Sequence, residues 1–139
     1  MDSPILIEFN KLANEAISAC DSAIEFIKNI SRQYPVDNHE PLSWENGKRS
    51  IVRYAEDYCD YCVFFAEVKE YTEGARKEFE TSKRFSERYY KKCECLDHDI
   101  FQESNLFALK EFQPFLSPIL DFIFYYEKGY EAAHPEKEE

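Results

Sequence analysis

Two kinds of chemistry are legible in KRFSERYYKKCECLDH, residues 83–98 of a 139-residue chain. The first is anion recognition. Arg84, Arg88 and Lys91 or Lys92 recur at steps of three and four, which places them on one side of a helix. Guanidinium and ammonium groups in such a row can clamp a phosphate or a carboxylate, and Tyr89 or Tyr90 adds a ring on which a base can stack. The second is metal binding. Cys59-x-x-Cys62 puts two thiols on one helical face, and Cys93-x-Cys95-x-x-His98 follows about thirty residues later. A helical hairpin turning at Gly74 would leave Cys93 about one turn from Cys59 and Cys62. Four soft ligands within reach would suit tetrahedral zinc.

Each pattern has a plainer origin. The basic row also suits a solvated helix exterior, partly neutralised by Glu80, Glu87 and Glu94, or a contact with the acidic surface of a second copy. Cys59 and Cys62 fall on the apolar side of their helix, where cysteine packs as a small hydrophobe. Their spacing also lacks the short loop that presents both sulfurs of a zinc-binding pair. Buried or half-buried thiols are therefore the expected state, and no metal or cofactor is expected.

No phosphate-binding glycine loop, dinucleotide fingerprint, H-E-x-x-H or G-x-S-x-G is present. Nor does a Glu-x-x-His pair mark a carboxylate-bridged metal site. Arg32, six residues and then His39 resemble the arginine–histidine spacing of the HEPN family of helical ribonucleases. The likeness covers eight residues, includes Pro35, and follows the first helix. It implies a role for Arg32 in holding phosphate and for His39 in handling a proton.

These residues sit in a chain of net charge −11. The charge is unevenly placed: residues 76–92 hold seven Lys/Arg against three Glu, and the remainder holds ten against twenty-five Asp/Glu. Such a field disfavours long nucleic acid and anionic membranes and favours basic partners. No basic start followed by an apolar run marks a leader, and FLSPILDFIFYY is too short to cross a bilayer. Five cysteines, an odd number without a secreted framework's spacing, fit reduced thiols and a cytoplasmic location.

The elements that must position these groups are helical. Only three glycines occur, against twelve Phe and ten Tyr, which argues against a turn-rich β fold and for a core of large plates. Phe9, Ala13, Ala16, Cys20, Ala23, Ile27, Ile30 and Tyr34 return at steps of four and three, a helical seam with a small-residue centre. Ser3 and Pro4 suit its start and Pro35 ends it. A second helical region is predicted from near Ser43 to Lys48 onward, with Ile51, Ala55, Tyr58, Cys62 and Phe65, then Val68, Tyr71, Ala75 and Phe79, on one seam. Gly74 is the predicted break. Without that break, one very long helix would overhang the first and need a partner chain. Asp99 reads as an N-cap in DIFQ, Pro114 and Pro118 are expected to kink or divide the next helix, and Ser117–Leu120 repeats the SPIL start signal.

The expected fold is all-α, an antiparallel bundle of three to four long helices spanning residues 1–131, with an acidic disordered tail at 132–139. The expected function is that of a non-catalytic, self-associating interaction protein, an adaptor or inhibitor of coiled-coil character. Its partner would be basic-surfaced, such as a nuclease, a toxin or a nucleic-acid enzyme. The alternative is capture of a small anionic, nucleotide-like ligand by Arg84, Arg88, Tyr89, Lys91 and Lys92.

Overall fold

A computed structural model of the chain describes residues 4–33, 44–45, 48–49, 58–103 and 110–134. Four helices make up nearly all of it: α1 (Pro4–Gln33), α2 (Tyr58–Ser82), α3 (Glu87–His98) and α4 (Gln113–Ala133). A wide π-type turn, Asp99–Glu103, extends α3, and one tight turn, Lys110–Phe112, leads into α4. The fold is all-α, as the periodicity predicts.

Side-chain contacts fix the directions. Phe9 stacks on Phe79 and Asp21 meets Lys69, so α1 and α2 run antiparallel. Phe9 also meets Phe122 and Phe26 meets Phe115, so α4 runs antiparallel to α1. Gly74 abuts Tyr89 while Tyr71 meets Cys93, and Tyr90 stacks on Tyr130 while Cys93 meets the Ile123 carbonyl, so α3 runs antiparallel to both α2 and α4. α2 and α4, both antiparallel to α1, run in the same sense as each other and meet where Tyr71 touches Phe122.

The core follows the seams. Phe9, Ala13, Ala16, Cys20, Ala23 and Ile27 of α1 are fully buried, as are Phe65, Val68 and Ala75 of α2. Alanines at the centre of α1 let a neighbouring backbone approach closely, and large rings fill the space at its ends. Phe9 illustrates the packing: Phe79 stacks on it at 4.2 Å, and Phe122, Phe85, Tyr125 and Tyr126 surround it with centroids within 6.2 Å. Burying one such ring contributes roughly 2–3 kcal/mol through area alone. Edge-to-face contacts add about 0.5–1.5 kcal/mol each.

Helix boundaries depart from the expected ones in several places. α2 runs through Gly74 and ends at Ser82. Lys83 adopts φ 62 and donates its N–H to the Phe79 carbonyl at 2.8 Å, a left-handed stop made without glycine. Ser86 then starts α3: its backbone is extended and its hydroxyl accepts from the Tyr89 N–H. The run from 58 to 98 is thus two helices, divided at 83–86. Gly74 serves packing instead. A Cβ built there would lie 2.7 Å from the Tyr89 hydroxyl, so glycine makes the seat for that ring.

Trp44–Glu45 and Lys48–Arg49, predicted to open a helix, form two short antiparallel strands, β1 and β2, with Trp44 opposite Arg49. Asp99 is no N-cap. Its backbone is helical and its N–H bonds to the Cys95 and Leu96 carbonyls, because the chain widens its turn there without restarting. Pro114 occupies the first turn of α4, where its missing N–H costs nothing. Pro118 lies inside the helix without dividing it. Its only lost bond would run to residue 114, in that same first turn. The second SPIL is therefore helix interior, unlike the first. α4 continues to Ala133, and His134 stacks on Tyr130 at 4.0 Å.

Candidate functional site

Helix α3 carries most of the residues singled out by type and spacing, and the bundle sorts them onto three surfaces. Two faces of α3 pack: Cys93 and Leu96 turn inward between α2 and α4, while Tyr89 and Tyr90 reach sideways to either neighbour. What remains outside divides the basic row.

Arg88, Tyr89 and Lys92 line a cleft of about 410 Å³ between α2 and α3. Glu67, Glu70 and Gly74 of α2 form its other wall. The Arg88 guanidinium lies 5.5 Å from the Tyr89 ring centre, within cation–π range. Two cations facing two carboxylates make this cleft close to neutral, so a phosphate gains little net field from it. Lys91 points elsewhere and pairs with Glu87 at 3.4 Å, four residues back on the same exposed face. Arg84 belongs to the turn before α3. It lines a different depression with Lys83, Phe85 and Lys128. The structure therefore brings Arg88, Tyr89 and Lys92 together and sets Arg84 and Lys91 apart.

The cysteines are also distributed. Cys93 is fully buried, with its sulfur 2.9 Å from the Tyr71 hydroxyl and 3.9 Å from the Ile123 carbonyl. Burial pushes its thiol up to about 12, and the same cause acts on Cys20. Both behave as small core hydrophobes with a weak donor. Cys95, two residues on, is exposed on the opposite side of α3. Cys62 is half-buried and His98 is exposed. The side chain of Cys59 lies outside the described residues. The hairpin geometry invoked for zinc required a turn at Gly74. With the turn at Lys83, Cys93 faces Tyr71, nine residues beyond Cys62. Among the described residues no group of three or more His, Cys, Asp or Glu is placed to hold a metal ion. Arg32 falls in the last turn of α1, but its side chain and the whole of His39 lie outside the described residues.

The third surface was not singled out by sequence. Glu94 and Asp97 of α3 face Glu127 and Glu131 of α4 along the seam between the two helices. Glu127 hydrogen-bonds to Asp97, and its carboxyl is pushed up to about 8, first by burial, then by that bond and by the charges of Asp97, Glu131 and Glu94. Asp97 Oδ1 is buried without a hydrogen-bond partner. Tyr90 donates its hydroxyl to Glu131 at 2.8 Å, and that bond raises the phenol to about 12. The signal was present as acid at i and i+3 on α3 and at i and i+4 on α4. It could not be read until the pairing of the two helices was known.

No helix of the described residues is long and apolar enough to cross a membrane. Comparison with protein-family models, with curated proteins and with solved structures finds no match.

Proposed function

We propose that the chain is a non-catalytic interaction module that engages a basic-surfaced protein through the acidic seam of α3 and α4. One observation carries this reading. Burial first, then the hydrogen bond and charge of Asp97 and the charges of Glu131 and Glu94, push the Glu127 carboxyl up to about 8, and no cation is among these causes. A carboxylate cluster left without an internal counter-charge costs the fold stability, and a lysine or arginine from a partner would relieve that cost. Tyr90, half-buried and held by stacking at 4.3 Å on the buried Tyr130 beside the seam, supplies rigid aromatic surface of the kind interfaces favour.

The reading is tested by charge reversal at its exposed members. Glu94→Lys and Glu131→Lys together are expected to abolish capture of basic binding partners. The wild-type chain should lose those partners with rising salt, as screened charge pairs do. Partners retained undiminished by the double variant would overturn it. So would turnover on RNA that disappears in Arg32→Ala or His39→Ala.

A further inference from the structure

A depression of about 570 Å³ lies between the start of α1, the α2–α3 turn and the last turns of α4. Its volume falls within the range of small-molecule pockets. The floor is aromatic: Phe79 is buried, while Phe85 and Tyr125 are half-exposed. Phe85 is held from several directions at once. Its ring lies 5.0 Å from those of Phe79 and Tyr126, and Gly129 abuts it so closely that an added Cβ would come within 2.3 Å of the ring. The floor is therefore set before any ligand arrives, which lowers the ordering cost of binding.

Three cations stand on the rim of this apolar floor: Lys83, Arg84 and Lys128, all exposed. Among the described residues none of the three has a carboxylate within ion-pair distance. Elsewhere among the described residues Lys69 pairs with Asp21 and Lys91 with Glu87. Lys83 is also the residue held at φ 62, a conformation that costs a side-chain-bearing residue about 1 kcal/mol and that glycine adopts freely. A lysine at that position places a cation over the depression at the expense of local strain.

An apolar floor with a cationic rim selects a ligand with the reverse division: an apolar body and one anionic head. A polyanion extending beyond the rim would meet the acidic remainder of the chain. A compact monoanion stays within about 8 Å of the rim, the physiological screening length, and is spared that repulsion. We propose that this groove binds a free medium-chain carboxylate, with its chain on Phe79, Phe85 and Tyr125 and its head between Arg84, Lys83 and Lys128.

The test uses the full chain and three probes: decanoate, decanol and acetate, followed by aromatic-region NMR. Decanoate is expected to give saturable shifts at Phe79, Phe85 and Tyr125, decanol much weaker ones, and acetate none. Arg84→Glu and Lys128→Glu change exposed residues and are expected to keep the fold, which circular dichroism checks. Each is expected to weaken decanoate about ten-fold, as loss of one charge-assisted contact does. Decanol binding as tightly as decanoate would overturn the proposal, as would charge-reversal variants that bind like wild type. Binding to phosphatidylglycerol vesicles with no affinity for free decanoate would also overturn it, by assigning the cations to a lipid surface. None of these outcomes depends on the acidic seam.

Discussion

Lys83 shows how one residue can fix a helix boundary and leave a trace in function. With Ser82 as the last helical residue, the Lys83 N–H to Phe79 carbonyl bond closes a left-handed stop that glycine ordinarily supplies. Replacing Lys83 with glycine removes a strain of about 1 kcal/mol. It also adds unfolded-chain entropy that offsets roughly half of that gain. We expect Lys83→Gly to stabilise the protein by about 0.5 kcal/mol, read as a rise of about 2 °C in Tm. An unchanged or lower Tm would mean that the lysine side chain makes a stabilising contact of its own. The thiols separate as sharply. Burial lifts Cys20 and Cys93 from 9.0 to about 12, so each holds about a thousand-fold less thiolate than an ordinary cysteine at neutral pH. Under native conditions, peptide mapping after iodoacetamide treatment should find Cys95 alkylated first. Cys20 and Cys93 should react only once denaturant opens the core. Early labelling of Cys93 would show that its Tyr71 contact is not maintained in solution.

At the scale of elements, glycine in mid-helix has to be explained by what it touches. Gly74 lowers the intrinsic stability of α2 by about 1 kcal/mol relative to alanine. In exchange it admits the Tyr89 hydroxyl of α3 at a distance no Cβ would tolerate. Gly74→Ala should therefore gain little in the wild-type chain, because the Tyr89 hydroxyl must move. In a Tyr89→Phe background the obstacle is gone and the same change should gain about 1 kcal/mol. The two substitutions are expected to couple by roughly 0.5–1 kcal/mol in urea unfolding, and simple additivity would contradict the contact. This pair also marks where sequence reading reached its limit. Glycine is the commonest left-handed stop, so a local rule assigned the turn to Gly74, while the contact that explains Gly74 comes from fifteen residues further on. The seam from Phe9 to Ile27 and that from Phe65 to Phe79 were legible because burial imposes a period on the chain itself. Ser86 was legible in principle, since a serine followed by Glu87 is a common helix start. Asn46-Gly47, the residue pair most favoured in two-residue hairpin loops, likewise stands between β1 and β2. The grouping of Arg88 with Glu67, or of Asp97 with Glu127, depends on which helices meet and in what register. No single segment contains that information.

For the whole molecule, charge sets the direction in which stability changes with pH. Glu127 has an ordinary value of 4.5, raised in the folded chain to about 8 by burial and by its acidic neighbours Asp97, Glu131 and Glu94. Between those two values the unfolded chain has released the proton and the folded chain still holds it, so folding takes up a proton and stability falls as pH rises. The favourable contribution is complete below the unfolded value and is lost as pH passes through about 8. Burial also raises Tyr71, Tyr125, Tyr126, Cys20 and Cys93, which extends the same trend to more alkaline conditions. Solvent reaches the seam between α3 and α4, so the Glu127 contribution is discounted to about 1 kcal/mol across the window. Net charge acts in the same sense, because self-repulsion at −11 relaxes as the pH approaches the isoelectric point near 4.8. Thermal unfolding should therefore show a Tm that declines from mildly acidic to mildly alkaline buffer. Glu127→Gln, which keeps the hydrogen bond to Asp97 and removes the ionisation, should flatten that decline by about 1 kcal/mol and leave the mildly acidic Tm close to wild type. If the slope survives in Glu127→Gln, the decline belongs to the net charge alone. The seam would then lack the uncompensated field on which its role in binding a basic partner depends.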